Sequence, residues 1–147
     1  MNVITTLQDK QREKQVKYER SILRDLSVQM LKERVKQYFG TARIASSFII
    51  NTGIEEACYD VALEAYLLGA KFSKFGYYGE SMEQVRNRCF FEEQHLVDTL
   101  YNFLLYWGNC EEEFVEESLY YKCEQYVHVW WREGFEKGER RHKLRLH

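Results

Sequence analysis

Glu92 and His95 form the spacing with the most chemical content in this 147-residue chain. On a helix, Glu-x-x-His sets both side chains on one face, which is half of what a carboxylate-bridged di-metal site in a helical bundle requires. Asp60 and Glu64 supply carboxylates at i, i+4 upstream, and Glu124 with His128 gives a mixed pair at i, i+4 downstream. A fold-back about residues 75–80 brings residue 92 level with residue 63, so Glu64 and Glu92 are expected to meet beside His95. Glu92 also falls in an otherwise apolar seam, where an unpaired carboxylate is costly. A metal, a shared proton, an Arg or open solvent must relieve it. A complete ferritin-like site needs two Glu-x-x-His pairs and two further carboxylates, and this chain has one such pair. The metal set Glu64, Glu92 and His95 is therefore an alternative rather than the leading expectation.

Nucleophilic chemistry has less support. There is no G-x-S-x-G elbow, no P-loop and no G-x-G-x-x-G, so the usual scaffolds for an activated serine or a cradled phosphate are missing. Cys89 and His95 are six residues apart and fall on different faces of a helix, which separates thiol from base. No catalytic residue and no cofactor is assigned. Cys58, Cys89, Cys110 and Cys123 make no CxxC pair and no zinc-ligand spacing. Three of them lie on apolar helical stripes, where a free Cys behaves as a small hydrophobe, and reduced thiols suit a cytoplasmic setting.

Two surfaces could bind partners. Tyr77 and Tyr78 sit between Gly76 and Gly79, and loops carry contacts more often than helix interiors do. The closing Arg140, Arg141, Lys143 and Arg145 follow Trp130-Trp131 and Phe135, an interleaving of cations and aromatics that could hold a polyanion. Adjacent tryptophans point about 100° apart on a helix, so at most one of them is expected in the core, the other packing on a neighbour or lying outside.

The elements that must position these residues are helical. Proline is absent, so the strongest helix breaker has been avoided throughout. No run of 18 apolar residues exists to span a membrane, and the charged start does not read as a secretory signal. With 11 Tyr, 9 Phe and 3 Trp the chain has too much aromatic surface to remain disordered. Its net charge of −2 conceals segregation. Residues 1–36 carry nine Lys/Arg against five Asp/Glu, residues 37–131 six against fifteen, and residues 132–147 six against three. The simplest reading lays the basic ends against the acidic middle. The acidic body also repels a polyanion, which disfavours nucleic acid as a partner.

Period-3.6 apolar spacing predicts a first helix running to about Phe39, with residues 1–10 frayed, and a non-periodic stretch over 40–53 with a short helix at 43–49. Thr52 and Glu55 form a capping box for a second helix with a seam at Ile54, Cys58, Val61, Ala65, Leu68 and Phe72. Gly76 and Gly79 supply a tight reversal. Ser81 with Gln84 caps a third helix with a seam at Val85, Cys89, Glu92, Leu96, Leu100, Phe103 and Trp107. Asn109 with Glu112 opens a last helix that loses order near Gly134–Gly138 and leaves a basic tail over 139–147. The expected fold is one all-α domain over 1–147, an antiparallel bundle of about four main helices with short connections.

The run Glu64-Ala65-Tyr66-Leu67-Leu68-Gly69 leading into Phe75-Gly76-Tyr77-Tyr78-Gly79-Glu80-Ser81, taken with Trp130-Trp131, Gly134-Phe135 and Lys143-Leu144-Arg145, resembles the YbaK family of Bacillus-type bacteria. That family is a domain of unknown function, distinct from the tRNA-editing deacylase sharing the name. The resemblance covers most of the chain from about residue 16 and implies a small cytoplasmic helical protein. It brings no catalytic residues. The functional expectation is a non-enzymatic module for protein–protein contact or regulation, with an unknown partner or self-association through the turn of Tyr77 and Tyr78 or through the narrow-striped first helix. The alternatives are the metal set above and polyanion binding by Arg140, Arg141, Lys143 and Arg145.

Overall fold

The computed structural model describes residues 3–39, 52–107 and 113–145. All secondary structure there is helical: α1 (Val3–Leu23), α2 (Val28–Phe39), α3 (Thr52–Tyr77), α4 (Met82–Arg88), α5 (Phe90–Trp107) and α6 (Glu113–Arg145). The expected non-periodic stretch over 40–51 and the Asn109–Glu112 cap lie outside the described residues.

Two of the expected long helices are each divided. The first breaks at residues 24–27, where Ser27 restarts it by accepting the Met30 N–H on its hydroxyl at 3.2 Å. The third breaks at Cys89, whose N–H returns to Arg86 and Asn87 rather than continuing the α-helical ladder. Among the described residues six helices thus stand where about four are expected, because a broken helix can wrap a core that a straight one leaves.

The reversal between α3 and α4 forms where the glycine-tyrosine corner predicts it. Gly79 has φ +112°, the left-handed conformation in which a side chain is strained. Ser81 and Gln84 complete the expected capping box: the Gln84 N–H donates to Ser81 Oγ at 3.2 Å and the Ser81 N–H to Gln84 Oε1 at 2.9 Å. Arg88 pins the corner with an ion pair to Glu80 at 2.6 Å and lies 4.1 Å over the Phe75 ring. Gly76 plays a different part from the one its spacing suggests. It lies inside α3, and a Cβ there would meet Glu139 Oε2 at 2.7 Å.

The dominant packing pair is α3 with α6, and it is parallel. Tyr126 Oη donates to the Cys58 carbonyl at 2.9 Å, Tyr66 packs on Trp130, and Gly138 abuts Ser73, so both helices advance together. The contact is backbone to backbone. A Cβ on Gly69 would lie 2.8 Å from Phe135 N, and one on Gly138 2.9 Å from the Ala70 carbonyl oxygen. Gly134 and Gly138 therefore do not end the last helix; they let α3 approach it, and α6 continues to Arg145.

Both α5 and the α1–α2 arm run antiparallel to α6. α5 crosses it with Glu93 near His128 and Tyr101 on Tyr120. The arm meets it through Arg141 on Ser21, Lys137 on Asp25, and Arg34 on Glu133 at 2.6 Å. Being contacted by α1, α2, α3 and α5, α6 buries Trp130 and Trp131 alike. The expectation that at most one of them lies in the core fails for that reason. Trp130 lies edge-on to Tyr66 under Arg34, while Trp131 stacks on Phe135 at 5.3 Å and donates from Nε1 to Cys89 Sγ at 3.1 Å.

Candidate functional site

Folding α5 back beside α3 brings Glu64, Glu92 and His95 to one surface groove, together with Leu68, Phe91 and Leu96. Because α5 is antiparallel to α6 and α3 is parallel to it, α3 and α5 oppose each other, as the hairpin register requires. The floor is apolar and the two carboxylates border it. Phe91 is 82% exposed and makes an edge-to-face pair with the exposed Phe90, centroids 5.6 Å apart.

Glu92 is not the carboxylate in the seam. It is exposed, and Glu93 takes the interior position at 6% exposure. From Cys89 the next interior position is four residues on rather than three, while Leu96 and Leu100 keep their expected places; apolar spacing does not distinguish the two steps. Glu93 is compensated by an Arg: Arg86 Nε reaches Oε2 and Arg86 Nη2 reaches Oε1, both at 3.2 Å. His128 Nδ1 lies 3.7 Å from Oε1, beyond hydrogen-bonding distance. Burial pushes the Glu93 carboxyl upward, but His128 and Arg86 outweigh it and hold the group below the usual range.

Among the described residues no three His, Cys, Asp or Glu side chains converge closely enough to hold a metal ion. Glu64, Glu92 and His95 share a groove without forming a coordination shell. The thiols are equally unsuited to chemistry. Burial pushes Cys58 up to about 12 and Cys89 to about 11, the latter despite the Trp131 N–H, so neither supplies a thiolate near neutrality.

At the corner, Tyr78 is 76% exposed, whereas Tyr77 is half-buried between Tyr78 and His142, at 5.6 and 6.0 Å. Of the expected polyanion set, Arg141 donates to Ser21 Oγ and lies 5.6 Å over the Tyr18 ring. Lys143 pairs with Glu139 at 3.5 Å. Arg140 is exposed, and the side chain of Arg145 lies outside the described residues. The basic end is thus the final turns of α6 rather than a separate tail. Helical spacing alone does not single out Phe91.

No helix among the described residues is long and apolar enough to cross a membrane. No solved structure matches the chain. A curated relative, the uncharacterized protein YbaK of Bacillus subtilis (strain 168), is 32% identical over 149 residues, covering 99% of each chain. The family model described as "Protein of unknown function (DUF2521)" matches residues 1–147, and the chain belongs to that family.

Proposed function

We propose that this protein is a non-enzymatic interaction module whose docking face is the groove of Leu68, Phe91 and Leu96. The observation that carries the reading is Phe91, a large ring held in solvent at the lip of an apolar floor. Exposed apolar groups gathered with a polar margin characterise contact surfaces rather than catalytic ones. Glu64 and Glu92 border the floor, and residues 37–131 carry fifteen Asp/Glu against six Lys/Arg. The partner that fits is an apolar helix edged with Lys or Arg. Tyr78 at the hairpin corner offers a further contact, with Tyr77 supporting it from behind. The buried thiols of Cys58, Cys89 and Cys123 suit work in a reducing cytoplasm.

The test uses a labelled amphipathic Leu/Lys helical peptide and its Leu/Glu counterpart. The Leu/Lys peptide is expected to bind and the Leu/Glu peptide not. Phe91→Ser should weaken binding about tenfold or more, since burying a Phe side chain is worth roughly 1.5–3 kcal/mol. Equal binding of both peptides, or an unchanged affinity in Phe91→Ser, would overturn the proposal. A Phe91-dependent dimer in place of peptide binding would instead assign the face to a second copy of the chain.

A further inference from the structure

The two basic ends of the chain both pack on α3, and their polar side chains also tie to each other. α1 runs antiparallel to the end of α6, with Ser21 on Arg141 and Asp25 on Lys137. Beside Arg141, one face of α1 carries an open surface recess of about 760 Å³, whose lining includes Gln11, Lys14, Lys17, Tyr18 and Ser21 of α1 and only Arg141 from α6. Its walls are largely carbon. Among the described residues its charged lining groups are all cationic and no carboxylate lines it, in a chain with 23 Asp and Glu.

Gathering Lys14, Lys17 and Arg141 around one recess costs repulsion, which an anion in the recess would reverse. Arg141 is already oriented, being tied to Ser21 Oγ and seated over the Tyr18 ring. A guanidinium fixed in this way presents its remaining N–H groups as a fork suited to phosphate oxygens. The volume lies within the range of small-ligand sites, roughly 300–1,000 Å³. The cationic lining is short, so it suits a compact anion better than a nucleic-acid strand, whose remaining phosphates would meet the acidic body of the protein.

From these observations we infer that the α1–α6 cleft binds a small phosphate-bearing molecule of nucleotide size, through Lys14, Lys17 and Arg141. The cleft shares no lining residue with the Phe91 groove between α3 and α5, although a third recess, lined by Tyr18 and Glu64 among others, adjoins both.

Inorganic pyrophosphate and ADP are the probes, titrated calorimetrically into the full chain at low salt. Both should bind at one site per chain, and tighter binding of ADP would show that the carbon walls contribute. Lys14→Gln/Lys17→Gln alters two exposed side chains without touching the core, and should weaken both probes roughly tenfold or more. Lys32→Gln/Lys36→Gln on α2 removes the same charge elsewhere and should leave them unchanged. Arg141→Gln gives a second reading of the site and should weaken both probes as well. Absence of binding by both probes, or equal losses in the two lysine pairs, would overturn the inference. Binding only of a single-stranded oligonucleotide or of anionic vesicles would also overturn it, by revealing an extended polyanion surface.

Discussion

Gly134 presses on Tyr66 so closely that a Cβ there would collide with the Tyr66 carbonyl and lie 2.7 Å from its carbonyl carbon. Backbone cannot retreat as a flexible side chain can, so the contact fixes how near α3 and α6 lie. In an exposed helix, Gly→Ala stabilises by roughly 1 kcal/mol through propensity alone. Here the sign is reversed. Gly134→Ala and Gly69→Ala should each destabilise by about 3 kcal/mol or more, toward the upper end of overpacking costs, as read by urea denaturation. Gly79→Ala, with open space around it but φ +112°, should cost only about 1–2 kcal/mol.

Glu93 makes stability acid-sensitive. Its carboxyl is held below its usual range in the fold, so its contribution is complete above the unfolded pKa and lost as pH falls through the folded one. Denaturant midpoints should therefore drop from about pH 4.5 downward. Glu93→Gln should cost roughly 1–3 kcal/mol at pH 7 and flatten that dependence. A parallel pH profile in the variant would show that other carboxylates govern it.

The three described thiols should be chemically silent. Cys58, Cys89 and Cys123 are buried, and Cys110 lies outside the described residues. In Cys110→Ser, a thiol reagent such as DTNB should react with no group in the native protein within minutes and with three in denaturant. Rapid native labelling of Cys89 would mean that the seal provided by Trp131 is incomplete.

Arg34 joins α2 to α6 by two ties at once: its guanidinium is 4.7 Å from the Trp130 ring centroid and pairs with Glu133 at 2.6 Å. Arg34→Lys keeps the charge but loses the planar fork that can stack and pair together. It should lower stability by about 1 kcal/mol, seen as a reduced thermal midpoint, with Arg34→Ala losing more.

The hairpin around Gly79 is legible in the sequence because turn geometry and capping act through neighbours along the chain: Ser81 and Gln84 need only each other. The α3–α6 pairing is not, since Gly69, Ser73 and Gly76 on one helix and Gly134 and Gly138 on the other look like helix-weakening residues until two backbones are seen to meet. A seam traced through Leu68 and Phe72 follows large side chains, while the tightest contact uses small ones. Within the candidate site, hairpin register suffices to place Glu64, Glu92 and His95 on one face. The exchange of Glu92 for Glu93 in the interior turns on a step of four rather than three residues after Cys89, and both steps fit a helical stripe equally well. The convergence of Lys14 and Lys17 with Arg141 joins positions far apart in the chain, beyond the reach of any local pattern.

The most direct measurement of the docking claim is amide chemical-shift mapping of the isotopically labelled protein as the Leu/Lys peptide is added. The shifts are predicted to concentrate at Leu67–Leu68 and Phe91–Leu96 and to vanish in Phe91→Ser. Shifts centred on any other face, or unaltered by that substitution, would contradict it.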